Sequence, residues 1–222
     1  MDLLETLGLG GATDFTPIMQ LFILMTLFMF LPTIVFMMTS FTRIVISFSF
    51  LKSGLGVNQS IPNQVLVGLA MVVTLFVMSP VISEINKDAI QPLTNGEIEI
   101  IDAIGRAEKP IRSFMLSQTR DADLELFMGN SKIDKEGITR DNIPLYVLVP
   151  AFAISELKTA FQIGFLLFIP FLIIDLVVAS SLQAMNMFML PPASISLPIK
   201  LYIFVYINGW NVFIQSLIES FS

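Results

Sequence analysis

Glu156, Lys158 and Asp175 sit in residues 150–198, a stretch that is otherwise almost wholly apolar. Lipid tolerates unpartnered charge poorly, so ionisable groups there mark a functional site. Asp175 can partner a polar group of a neighbour, line a pore or relay protons, and we rank these in that order. The same stretch closes with Met185, Met187, Phe188 and Met189 ahead of Pro191 and Pro192. Methionines two residues apart do not follow the three- or four-residue repeat of a helix face. The two prolines should end helical geometry, so that 185–189 project as a loop with alternate side chains on one side. Methionine is unbranched, apolar and adaptable, which suits a seal that deforms around many sequences. Ordinary apolar packing is the competing reading in a chain with 13 methionines.

Composition narrows the chemistry. The 222 residues include no cysteine and no histidine, which removes thiol nucleophiles, disulfides, the usual zinc sites and a histidine base. No cofactor and no enzymatic activity are expected. An intramembrane aspartyl protease would need a second aspartate in an apolar helix, and Asp175 stands alone there. Hydrophobic residues make up 55% of the chain and charged ones 14%, with mean hydropathy +0.80. Soluble domains are about 25% charged, so this is a membrane-associated composition. No basic patch suggests nucleic acid.

The polar residues are concentrated. Eight of the 12 basic and twelve of the 18 acidic residues lie within 84–141. We therefore expect an all-α chain of two long, kinked apolar hairpins around a small helical insert. Residues 1–16 form an N-terminal extracytoplasmic segment with no basic n-region, so no secretory signal peptide is expected there. Residues 17–83 form the first hairpin, with apolar blocks at 17–38, kinked at Pro32, and at 65–82. Arg43 and Lys52 lie in the connection between them, which the positive-inside rule places in the cytoplasm. Residues 84–142 form the polar, periplasmic insert, with a helix over 102–127 whose Phe114 and Phe127 serve a local core or an interface. An insert this small buries little alone and is expected to pack across subunits. Residues 143–222 form the second hairpin, interrupted at Gly164 and Pro170.

Several stretches in this order carry a resemblance: MTSFTRIVISFSFLKSGLG, SIPNQVLVGLAM, FMLSQTRDADLELF, PAFAISELKTAFQIGFLLFIPFLIIDLVVAS and MLPPASISLPIKL. Together they resemble the FliP family of type III secretion export-gate subunits along nearly the whole length, and FMLSQTRDADLELF is similar to its flagellar branch. The resemblance implies a homo-pentamer assembled with FliQ and FliR as a helical pore complex, joined by FlhB and FlhA. It implies a bacterial inner-membrane and flagellar basal-body location, with the gate largely at periplasmic level, and unfolded flagellar proteins as cargo. It also implies a methionine-rich gasket at Met187, Phe188 and Met189, with Phe188 departing from the family's methionine triplet and Met185 compensating.

Glu156 and Lys200 are the expected ion pair. Glu156 stands roughly 34 residues before a turn near 190, about 50 Å of helix, so the pair would have to form between offset subunits. Lys158 is expected to be buried and polar, with a solvated helix start as the competing reading for both Glu156 and Lys158. A proton-coupled small-molecule transporter using Asp175 and Glu156 is the alternative function.

Overall fold

Long runs of Leu, Ile, Phe, Val and Met with few glycines leave the backbone little choice but to satisfy its own hydrogen bonds in helices. The computed structural model describes residues 17–58, 60–131 and 139–221, and all regular elements among them are helical. The segment 1–16 read from sequence as extracytoplasmic lies outside the described residues. In chain order the helices are α1 (Pro17–Met37), α2 (Phe41–Leu55), α3 (Asn63–Val77) and α4 (Ser79–Thr94), the last with a π turn at Asn86–Ile90. They are followed by α5 (Ile100–Gln118), α6 (Asp121–Asn130), α7 (Leu145–Ala184), α8 (Pro192–Tyr206) and α9 (Gly209–Glu219).

The stretch expected to connect the first two apolar blocks is itself a helix, and the fold is built on it. In α2, Ile44, Ser47, Phe48, Leu51 and Leu55 recur at three- and four-residue steps and are all buried. Its serines and two cations lower its hydropathy enough to read as a linker. It ends at Gly56, whose φ of 79° is a conformation glycine adopts freely. The Gly56 N–H donates to Ser53 O (3.1 Å) and the Val57 N–H to Lys52 O (3.2 Å), a Schellman closure.

Helix α2 packs most extensively on α7. The expected interruptions at Gly164 and Pro170 do not break α7, which runs unbroken for 40 residues with Pro150 and Pro170 inside it. At 1.5 Å per residue it is about 60 Å long, twice the hydrocarbon thickness of a bilayer. Gly164 does not end the helix; it receives the Phe50 side chain of α2. A Cβ there would lie 2.3 Å from Phe50 Cδ2. Arg43 meets Glu156, Phe50 meets Gly164 and Gly54 meets Phe171, so α2 and α7 run parallel. Helix α8 returns antiparallel along both.

The second and fourth apolar blocks are bent rather than straight. Helices α3 and α4 meet at 59°, and α8 and α9 at 68°. The second bend is made by Asn208, which stands in the left-handed region at φ 55°. Among the described residues α7 alone is long and apolar enough to cross a membrane as one helix, and each bent pair could cross as one broken span.

Two apolar cores result. The larger joins Ile44, Phe48, Leu51 and Leu55 to Leu66, Ala70, Phe171, Phe204, Phe213 and Leu217. The smaller joins Met115, Leu116 and Leu124 of the insert to Ile143, Val147, Leu148, Ala151 and Phe152. The insert thus finds its hydrophobic partner on the first third of α7, within the same chain. Phe114 and Phe127 are half-buried against this second core, and Phe114 faces Phe152 (6.0 Å) and Phe221 (6.4 Å). The helix expected over 102–127 breaks at 119–120. Thr119 Oγ1 donates to Met115 O (2.6 Å), and the Arg120 N–H leaves the helix for Ser155 Oγ (3.0 Å).

Candidate functional site

Every charged side chain on α7 is paired, each with a different helix. Arg43 of α2 and Glu156 of α7 form a two-bond ion pair, through Nε to Oε2 (3.0 Å) and Nη2 to Oε1. Their side chains are 2% and 0% exposed. The rest of the guanidinium donates to Gln118 Oε1 (2.9 Å) at the end of α5 and to Ser220 O (2.6 Å) and Ser220 Oγ (3.1 Å) after α9. Its face lies 3.9 Å from the centre of the Phe221 ring. Arg43, read from sequence as a cytoplasmic-side residue, is thus enclosed by protein. It is a buried junction of four chain segments.

Glu156 and Lys200, the expected pair, do not meet within the chain. Lys200 Nζ donates to Asp175 Oδ2 (2.6 Å) and to the Gly54 carbonyl (3.0 Å) near the end of α2. The physical reason is reach. Asp175 lies about 28 Å beyond Glu156 along α7, opposite Lys200 in the antiparallel hairpin. No neighbouring subunit is needed to partner either charge. Asp175 is not deeply buried; its side chain is 39% exposed. Lys158 also departs from the expected burial at 51% exposed, and its Nζ pairs with Asp123 Oδ1 on α6. Lys52 sits in the last turn of α2 and donates to Asn63 Oδ1 (2.8 Å).

Asp123 is the acid of the insert. Ser155 Oγ donates to its Oδ2 (2.8 Å), and the Arg120 guanidinium reaches Thr159 Oγ1 (3.1 Å) and Gln162 Oε1 (2.6 Å) on α7. Burial pushes the Asp123 carboxyl up. Hydrogen bonds from Lys158 and Ser155, with the charges of Lys158 and Arg120, outweigh it, and the group titrates below its ordinary 3.8. Sequence reasoning missed Asp123, Gln118 and Ser220 as partners. Only Arg43 carried a signal, as a lone cation among apolar and hydroxyl residues. Glu156, Asp175 and Asp123 are each held by a cation, so none is an unengaged base. Among the described residues no group of three His, Cys, Asp or Glu side chains could hold a metal ion.

The turn between α7 and α8 is apolar and uncovered. Met185, Met187, Phe188 and Met189 are all exposed, Met189 at 97%. The helix stops at Asn186 rather than at the prolines. Asn186 is left-handed at φ 56°; its N–H donates to Gln183 O (3.0 Å) and the Met187 N–H to Leu182 O (2.9 Å). This is again a Schellman closure, and asparagine is the usual alternative to glycine in it. Pro191 and Pro192 instead open α8, where the missing N–H costs nothing. The bend at Asn186 also means that 185–189 is not one extended run with alternate side chains aligned.

A sequence profile of the FliP family matches residues 24–217, which takes in the three ion pairs of α7 and the exposed turn. The chain belongs to the FliP family. Curated proteins called flagellar biosynthetic protein FliP are similar to it over most of its length. The Bacillus subtilis protein is 54% identical over 202 residues, 91% of each chain. The Pectobacterium carotovorum protein is 50% identical over 96% of this chain and 82% of its own. A relative from Buchnera aphidicola (subspecies Baizongia pistaciae) is also 50% identical over 96% of this chain, which spans only 58% of that longer protein. For this FliP-family chain, the resemblance drawn from its motifs and the membership found by comparison agree.

Proposed function

We propose that this chain is a core subunit of a flagellar type III export gate. In this reading five copies assemble with FliQ and FliR around an axial path for unfolded flagellar proteins. The complex joins FlhB and FlhA in the bacterial inner membrane, and the 185–189 turns together close the path. The observation that carries the reading is family membership across 24–217, joined to an exposed apolar turn at the end of a 40-residue helix. Exposed apolar area of this kind needs a partner, and further copies of the same turn would supply one. Many α7 side chains are exposed as well, among them Phe165, Leu166, Leu176 and Val177, which suits a helix sheathed by neighbours or lipid. The proton-coupled transporter reading needs Glu156 and Asp175 free to take up protons, whereas both are engaged by cations.

The chain has no cysteine, so a single introduced one reports cleanly. Met187→Cys, co-expressed with FliQ and FliR and treated with a short thiol cross-linker in membranes, should give inter-copy products. Native mass spectrometry of the detergent-purified complex should give five copies bearing both partners. A monomer or dimer that ignores FliQ and FliR, with no cross-linked product, would refute the gate.

A further inference from the structure

The chain has 13 methionines and neither cysteine nor histidine, so any soft-metal chemistry it has falls to thioethers. Three of these crowd into five residues of the α7–α8 turn. Met185, Met187 and Met189 are 59%, 42% and 97% exposed, so within the single chain none of them is enclosed by the core. Residues two apart stand within about 7 Å even on a fully extended chain. Here the left-handed Asn186 turns the backbone between the first two. A side chain with three rotatable bonds can then swing its sulfur onto a shared point without unpacking anything. Between Asp175 and Lys200 the sequence has no charged residue, so no carboxylate is at hand for a hard cation. Hard divalent ions take carboxylate, carbonyl and water, and zinc favours thiolate and imidazole. Neutral thioethers select monovalent copper and its analogue silver.

We propose that the 185–189 turn is a soft-metal site that takes one Cu(I) or Ag(I) ion per chain on the thioether sulfurs of Met185, Met187 and Met189. The site belongs to the turn of a single chain and does not depend on the gate reading.

The test is a titration of the full-length, detergent-purified protein with silver nitrate in chloride-free buffer, read by native mass spectrometry. One silver per chain is expected. The variant M185L/M187L/M189L keeps the apolar bulk of the turn and should lose that silver with helical content and oligomeric state unchanged. The variant M25L/M29L removes the exposed methionines Met25 (64%) and Met29 (79%) from α1 and should keep it. Competition against a chromogenic Cu(I) chelator should give the same order of variants. Absence of silver from the unmodified protein, its retention by the triple variant, or its loss from the α1 variant would each overturn the proposal.

Discussion

Arg43 has five N–H bonds to place, and the fold gives each an acceptor: two from Glu156, two from Ser220 and one from Gln118. That completeness is what makes a fully buried guanidinium tolerable, because a buried charge costs heavily unless paired and hydrogen-bonded. Removing one partner is worse than removing both. Arg43→Ala should destabilise the detergent-solubilised protein by about 3–5 kcal/mol, read as a lower thermal midpoint. The double replacement Arg43→Met with Glu156→Leu should cost clearly less than the two single losses combined. Strict additivity would mean that the two groups do not form a pair. Asp123 makes a different prediction because its carboxyl titrates below its ordinary 3.8. A depressed folded value contributes stability that is complete above about pH 4 and is lost as pH falls through the folded value. Asp123→Asn should therefore flatten the acid limb of an unfolding-versus-pH curve and leave its neutral region parallel. An unchanged acid limb would mean that the Lys158 and Ser155 contacts do not hold the ionised form.

At the scale of elements, the contact between α2 and α7 decides the fold, and Gly164 sets its closeness. A Cβ at Gly164 would stand 2.3 Å from Phe50 Cδ2 and 2.9 Å from Phe50 Cβ, so the clash reaches the root of the ring and cannot be relieved by its tip alone. Gly164→Ala should cost about 1–3 kcal/mol, the usual penalty for overpacking. Adding Phe50→Ala, which removes the Cδ2 and Cγ atoms at 2.3 and 2.4 Å, should recover part of it, measured by thermal unfolding of both variants. Failure of the second change to rescue the first would place the strain elsewhere. The helix ends follow a common logic. Gly56 and Asn186 each adopt a left-handed conformation and close α2 and α7 by the same pair of backbone bonds. One closure turns toward the buried Val57, whereas the other launches the exposed methionines.

At the scale of the whole chain, α7 is the spine. Its first third carries the insert's core and the Asp123–Lys158 pair, and Arg43 engages it at Glu156. Its far third carries the Asp175–Lys200 pair and ends in the uncovered turn. The three ion pairs of α7 thus lie within about 28 Å of its length and fasten α2, α6 and α8 in turn. Large aromatic and aliphatic side chains remain exposed on α1, α3, α7 and α8, among them Phe22, Phe76, Phe165 and Tyr206. A monomer in water would not keep so much apolar area uncovered, which is why assembly and membrane belong to the same argument as the fold.

Composition and local pattern were enough to establish the helical class, the polar insert between apolar blocks, the absence of thiol and imidazole chemistry, and the family resemblance. Each of these depends on residues near one another in sequence or on totals over the chain. Pairing does not. Arg43 and Glu156 are separated by 113 positions, and no local signal says which of several charges will be brought to which. Lys200 could not be matched to Asp175 without knowing that α8 returns antiparallel along α7. The centrality of α2 was equally hidden, because its serines and cations resemble a linker until another helix covers them. Local propensity determines which segments become helices. Only the placement of those helices against each other determines which polar groups find partners, because burial makes an unpartnered charge too costly to keep.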